Sequence, residues 1–551
     1  MTPNRRNRDT SAQTLAENVT DPVPSDNVAA KNPASVSSED TTEQVSPPPP
    51  LPPPAPPTQS IRQDTVSGQT NAANPEPAEI NKQDAIDVAS KGYFERVIRN
   101  DEHYPICLVG SGQAGTEIAS AFRMKPQFVA HYLPELYPVR AATFDTQTAT
   151  VASQSLTSGW TDPSLQLHID LPEQSRIPTI LERGALRDTG EQLGNLEWVD
   201  EVSAFESGGA GGKSIRGRAS ALLNLFESDR KNIIRQSLDN GNYLSRIHPG
   251  YLVSCSSLGG GSGSGFAPVV VKYLHESLRP HPTATYSLCV VPENSGTRSQ
   301  MNQLVAAYYM ASSPVVNGIM LSDNDRLTRQ GFKDYTDIDR YLQEVLIPVL
   351  LAPLPSYKFG IEMDPANVKT VLQPNASGPE FIVMCFSIAP LGITESPLQK
   401  QMRHQTVDRS DTDLLFEELV DKALDCSTVE FLPHTASRSV GLVAGPSSAL
   451  EALGFLEPMK RERYERLLEH KTLAPSNDKT DCRLFAAKFD DMHEIRLTIL
   501  LSSAAIPSVE DNIQKVLEGH NISMIKDGSL ADRLRALSEE SIRQIALADL
   551  N

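Results

Sequence analysis

Nine consecutive residues, Leu258-Gly259-Gly260-Gly261-Ser262-Gly263-Ser264-Gly265-Phe266, constrain this chain more than any other stretch. The segment before them, Tyr251-Leu252-Val253-Ser254-Cys255, is short, apolar and partly β-branched, as a buried strand is. The segment after them, Ala267 to Leu278, carries apolar residues at helical spacing. Glycines lacking Cβ let successive backbone N–H groups point at one anion, and the helix that follows presents its positive end to the same anion. The run therefore reads as a phosphate cradle, with Gly259, Gly260, Gly261, Ser262, Gly263, Ser264 and Gly265 as candidate contacts. A flexible Gly/Ser linker has similar composition, but a linker does not call for a strand and an apolar helix as its frame.

Composition narrows the classes of ligand and compartment. The 551 residues are 39% hydrophobic and 22% charged, enough for two or three domains. A formal net charge of −19 argues against a nucleic-acid polyanion as the principal ligand. Cys107, Cys255, Cys289, Cys385, Cys426 and Cys482 show neither CxxC nor metal-type spacing and read as reduced core thiols of a cytoplasmic protein. No run of about 18 apolar residues occurs to span a membrane, and the first residues, MTPNRRNRDTSAQ, lack the apolar core of a signal peptide.

The first 90 residues differ from the rest. They are rich in Pro, Ser, Thr, Asn, Gln and Asp and contain the run Pro47 to Pro57. Too few apolar side chains are present to offset the entropy of ordering, so residues 1–90 read as disordered, with a polyproline II rod inside. This extension is either a docking site for a proline-binding protein, a tether to a membrane partner, or a solvated spacer.

From Tyr104 strands and helices alternate. Pro105 to Val109 reads as a buried strand, Gly110-Ser111-Gly112-Gln113-Ala114-Gly115 as a tight turn, and Thr116 to Phe122 as a helix. Alone, this unit fits a G-x-G-x-x-G dinucleotide fingerprint, with Asp145 after Ala141 to Phe144 as the acid for a ribose hydroxyl. A dinucleotide-dependent oxidoreductase is the corresponding alternative function. The second glycine loop far downstream is what that alternative does not require.

With both loops in place the chain resembles the tubulin/FtsZ superfamily over about residues 104–505. GGGSGSG matches the family signature GGG(T/S)G(T/S)G, Gly112-Gln113-Ala114-Gly115 matches its first loop, and Asp145-Thr146 its second. Ser207-Gly208-Gly209-Ala210-Gly211-Gly212-Lys213 resembles the third loop, near the γ-phosphate, ahead of a helix from about Arg216 to Phe226. Between them, about 153–205 reads as an insertion. Pro292 to Arg298 occupies the place of the ribose-contacting loop, with Arg298 as its one carried-over residue.

The resemblance extends to base recognition. Leu321-Ser322-Asp323-Asn324-Asp325-Arg326-Leu327 is similar to the family's short Asn-containing loop, which places Asn324 against guanine. Tyr335-Thr336-Asp337-Ile338-Asp339 resembles the start of the central helix. Residues four apart share a helix face, so Tyr335 can stack on a purine while Asp339 accepts from guanine N1–H and N2–H. Adenine lacks that pair of donors and would strand a buried charge.

Glu362-Met363-Asp364-Pro365-Ala366-Asn367-Val368-Lys369-Thr370-Val371-Leu372 resembles the FtsZ loop that enters the neighbouring subunit's nucleotide site and completes hydrolysis there. Its first acid is present as Asp364, but Asn367 stands at the second acidic position and Glu362 at the leading Asn. Asn orients water but is no general base. Slow turnover through Asp364, rescue by Glu362, and a binding-only interface are all open.

The fold class expected is α/β: a disordered extension (1–90), a Rossmann-like parallel-sheet GTP-binding domain (91–330), a central helix (331–357), a smaller α/β domain (358–508) and a helical tail (509–551). The resemblance implies GTP or GDP as ligand, Mg2+ with it, and head-to-tail self-association into cytoskeletal filaments serving division, shape or partition. The alternative within this fold is a non-hydrolysing GTP-binding scaffold or regulator of another filament.

Overall fold

Short apolar runs become strands β1 (Ile106–Ser111), β2 (Val139–Asp145), β3 (Gln166–His168), β4 (Tyr251–Ser257), β5 (Ala284–Val291) and β6 (Gly318–Asp323). The computed structural model describes residues 106–123, 139–146, 166–188, 210, 212–227, 230–240, 251–292, 296–352, 368–369, 373, 378–391, 409–475, 482–489 and 492–548. The Pro-rich extension, Gly209, Gly211, Glu362, Asp364 and Asn367 lie outside the described residues.

The six strands pair in parallel in the order β3-β2-β1-β4-β5-β6. β1, β5 and β6 are buried at every position, the pattern of a parallel sheet covered on both faces. Registers such as Ile106↔Val139, Ile106↔Tyr251 and Tyr251↔Ala284 keep the strands level, so their C-terminal ends emerge along one edge. Chain direction along the sheet reverses between β1 and β4, and in such sheets ligands bind beyond the C-terminal ends at that switch point.

The sheet continues through β7 (Glu380–Pro390), β10 (Glu494–Ser502), β8 (Arg438–Gly445) and β9 (Cys482–Lys488). β7 runs parallel to β6 but antiparallel to β10, so the ten-stranded sheet is mixed in its second part.

The helices are α1 (Gly112–Arg123), α2 (Ile177–Asp188), α3 (Ser214–Leu222), α4 (Arg230–Asn240), α5 (Gly261–Ser277), α6 (Thr297–Ala311) and α7 (Asn324–Arg329). After them come α8 (Tyr335–Leu351), α9 (Arg409–Asp425), α10 (Ser447–Ala452), α11 (Pro458–Thr472), α12 (Pro507–Gly519), α13 (Leu530–Arg535) and α14 (Glu539–Ala548). α8 begins where the Asp334 carboxylate accepts from the Asp337 N–H at 2.9 Å, an N-cap. It packs against α1 and is tied to β10 by Arg496, whose guanidinium lies 3.4 Å from Glu344 and 5.9 Å from the Phe386 ring centre.

Several sequence expectations change. The glycines of the first and signature loops are not loops ahead of helices: α1 starts at Gly112 and α5 at Gly261, so both runs form first helical turns. α3 starts at Ser214 rather than Arg216 and passes into a π-helical turn, Leu223–Glu227. The segment read as an insertion supplies edge strand β3 and helix α2; three strand residues are too short a run to signal themselves in sequence. Cys426 is exposed, whereas the other five cysteines are buried and free. Among the described residues no helix is long and apolar enough to cross a membrane.

The tail folds back on the molecule, with α12, α13 and α14 against α6. Arg535 donates to the Pro379 carbonyl at 2.7 Å and pairs with Glu380 at 3.1 Å, where the Glu380 side chain is almost wholly buried. Burial pushes the Glu380 carboxyl up, against the pull of its hydrogen bonds to Ser529 and Arg535. Removing one partner of a buried pair strands the other charge. Arg535→Met should lower unfolding stability at pH 7 by about 3 kcal/mol, measured by chemical denaturation, and Glu380→Gln in that background should recover part of the loss.

Candidate functional site

At the switch point a cavity of about 610 Å³ opens, a size suited to a small-molecule ligand. Its floor is backbone. Gly112, with φ of +69°, lets β1 turn directly into α1, and a Cβ there would sit 2.6 Å from the Gly263 nitrogen. A Cβ on Gly261 would meet the Lys213 nitrogen at 2.6 Å. The first, third and signature loops thus touch backbone to backbone, and the N-termini of α1, α3 and α5 converge. Each helix start carries roughly half a positive charge and free N–H groups. Among the described lining residues there is no Lys or Arg, so an anion here would be held by peptide groups and helix ends.

Side chains fasten the loops. Thr146 Oγ1 lies 2.8 Å from Ser262 Oγ and accepts from the Ala210 N–H at 3.2 Å. Ser264 Oγ donates to the Gly260 carbonyl.

The other end of the cavity comes from α7 and α8. The Asp323 carboxylate accepts from Arg326 N–H at 3.2 Å and starts α7, setting Asn324 at the rim with its Oδ1 buried and without a hydrogen-bond partner. Tyr335, 54% exposed, and Asp339 follow at the start of α8. The Asp339 carboxyl is pushed up to about 7, first by burial and then by the Glu117 carboxylate on α1. A carboxyl with that environment waits for donors, and Asn324 Oδ1 waits for one as well.

The structure therefore brings together most of the expected site. Gly112, Gln113, Ala114 and Asp145 line the cavity from one side; Ala210, Gly212 and the run from Gly259 to Gly263 line its floor; Asn324, Tyr335 and Asp339 line the far end. Gly115, Ser264 and Gly265 do not line it. Gly115 and Gly265 are glycines for packing, since a Cβ would meet the Cys255 carbonyl at 2.1 Å or the Ser214 carbonyl at 2.2 Å. Arg298 falls in the first turn of α6 and is not among the lining residues.

Glu117 and Ile118 also line the cavity and were missed in the sequence, because a helix starting at Thr116 does not put Gln113 and Glu117 on one face. With α1 starting at Gly112 they are one turn apart, and Gln113 Nε2 donates to Glu117 Oε1 at 3.2 Å. Val290, Val291 and Pro292 form an apolar wall at the end of β5.

Glycines of two kinds predict two phenotypes. A Cβ on Gly260 meets nothing within 4 Å, so Gly260→Ala should fold with a stability change under about 1 kcal/mol. Gly115→Ala should cost about 3 kcal/mol or fail to fold, because the obstacle is backbone. Gly261→Val and Gly263→Val belong with Gly115, since Cβ atoms there meet loop backbone rather than the cavity. Thermal denaturation of these variants separates the classes.

The fold is similar to that of CetZ2 from Haloferax volcanii, solved as a GTPγS-bound protofilament, with 18% identity and a TM-score of 0.50 over 76% of this chain and 98% of that one. CetZ from Methanosaeta thermophila aligns at 15% identity and a TM-score of 0.48 over 81% of this chain and 98% of its own. FtsZ from M. jannaschii aligns at 14% and 0.46 over 75% and 92%. No protein-family model matches the chain, and no curated protein matches it.

Proposed function

We propose that this chain, which has a tubulin/FtsZ-like fold, binds a guanine nucleotide in the switch-point cavity and assembles head to tail into filaments. The observation that carries the nucleotide reading is the division of one cavity into two chemistries, a floor of glycine backbone and converging helix starts with no Lys or Arg among the described lining residues, and a far end with Asn324, Tyr335 and Asp339. Phosphates suit the first and a purine base the second. Asp339 accepts from guanine N1–H and N2–H, Tyr335 stacks on the ring, and Asn324 Oδ1 takes the remaining donor. Mg2+ bound with the nucleotide would neutralise phosphate charge. Asp145 and Ser262 are among the oxygen-bearing residues that line the cavity and would hold it, and no group of three His, Cys, Asp or Glu forms a metal site among the described residues.

Assembly is supported by the protofilament of the similar CetZ2 and by Gln373, which accepts from Asn317 at 2.8 Å at the N-terminal edge of the sheet, the edge opposite the cavity. A surface at that edge meets a nucleotide only in another subunit, and heterologous contacts that do not close produce filaments. Asn367 in place of a second acid favours a second reading, a slow or non-hydrolysing filament component.

The Asp339 carboxyl supplies a test of the base. With its pKa near 7 in the empty site, it loses its charge as pH falls, whereas guanine's donors hold it ionised. The ratio of GTP to ATP affinity should fall by up to about tenfold per pH unit below 7, and Asp339→Asn should lower and flatten that profile. The phosphates are common to both ligands, so the ratio isolates the base. The raised pKa also destabilises the empty fold as pH rises, beginning above 3.8 and complete above about 7. Asp339→Asn should accordingly raise the melting temperature of nucleotide-free protein more at pH 8 than at pH 5.

Hydrolysis is tested at the loop. Asn367→Asp should raise GTP turnover at protein concentrations that permit sedimentable assembly, Asp364→Ala should remove turnover, and neither should alter nucleotide affinity of isolated subunits. Turnover indifferent to both substitutions would remove the loop from the mechanism.

A further inference from the structure

Asn302 lies on α6, is 3% exposed, and uses its whole carboxamide. Nδ2 donates to the Gly212 carbonyl at 2.7 Å and to the Gly259 carbonyl at 2.8 Å, while Oδ1 accepts from the Ser214 N–H at 2.9 Å. Gly212 and Ser214 bracket the end of the third loop and the start of α3, and Gly259 begins the signature run. These partners fix the amide's orientation, because a flipped amide would put its oxygen against two carbonyls. Asp has the length but no donor, and Gln carries a further methylene into a buried space.

We infer that Asn302 is a positioning residue that locks the third loop to the signature loop and thereby sets the preference for a nucleoside triphosphate over a diphosphate. The inference deepens the proposed function and rests on the cavity holding a nucleoside phosphate. The signature run is held without Asn302: Gly263 packs on the first loop, the Gly259 N–H donates to Ser257 Oγ at 3.2 Å, and Ser264 Oγ closes on the Gly260 carbonyl. Side chains from outside it also fasten the described part of the third loop. Thr146 holds Ala210, and Asn302 holds Gly212 and Ser214. Loss of Asn302 removes the bonds that tie Gly212 and Ser214 to Gly259 while leaving the signature run's own bonds in place. Ala210 and Gly212 line the floor of the cavity, and Ala210, bonded to Thr146 just beyond β2, is separated by β1, β4 and β5 from Asn324 at the end of β6, so with the base at Asn324 the last phosphate of a triphosphate is the group whose contacts would loosen. Buried carbonyls deprived of their donor also lose more than a neutral exchange of hydrogen bonds would suggest.

Asn302→Asp, nearly isosteric, and Asn302→Ala test this, with GTPγS and GDP affinities measured by calorimetry and amide hydrogen exchange followed at Lys213 to Arg216. Affinity for GTPγS should fall by about tenfold or more while that for GDP changes by less than about threefold, and the Ala variant should exchange the Ser214 amide faster. In the unaltered protein the same amide should be protected more with GTPγS than with GDP, a measurement that needs no variant to fold. Equal loss for both nucleotides in variants that fold, or equal protection of Ser214 by both nucleotides, overturns the inference. An unaltered protein that binds neither nucleotide overturns instead the cavity reading beneath it.

Discussion

Everything in the proposed site depends on backbone meeting backbone where three glycine loops touch. Gly112 against Gly263 and Gly261 against Lys213 leave no room for a Cβ, so the N-termini of α1, α3 and α5 reach one point. That convergence supplies fixed positive potential with no cationic side chain among the described lining residues. It allows a chain with a formal charge of −19 to offer a seat for phosphates. Parallel strands with level registers carry the loops to a common edge, and the reversal of chain direction between β1 and β4 opens the space beyond them.

The opposite end of the cavity is arranged on another principle. A partly desolvated Asp339, Glu117 beside it and an unpartnered Asn324 Oδ1 make the empty site less comfortable than it would be with apolar residues. Groups held in such environments are costly to the fold and characteristic of binding sites. A base with paired donors relieves both acceptors at once. Asn302, Thr146 and Ser262 link the floor into one unit, and α6, which carries Asn302, is itself covered by α12, α13 and α14. The tail thereby supports the helix that supports the loops.

Much of this was legible in the sequence because the strongest signals are local. A glycine run between a β-branched segment and an apolar helix can be read without knowing its partners, and Tyr335 and Asp339 are one helical turn apart wherever the helix packs. What was not legible is tertiary. Helices α1 and α5 begin inside their glycine runs because neighbouring loops fix those backbones, and a reading that starts the first helix at Thr116 cannot put Glu117 into the site. Gly115 and Gly265 look like cradle residues by position, yet their small size serves contacts with Cys255 and Ser214. Asn302 gives no local signal, since a lone Asn inside a helix resembles any other. β3 is three residues long and becomes a strand by pairing with β2.

The central claim is that the cavity selects a guanine nucleotide, and calorimetric titration of nucleotide-free protein at pH 8 with GTP, ATP and NADPH tests it most directly. The account predicts one GTP bound per chain, with ATP weaker by about a hundredfold because a carboxylate facing adenine would be left unpaired, and no competing site for the dinucleotide. ATP or NADPH bound as tightly as GTP would contradict it.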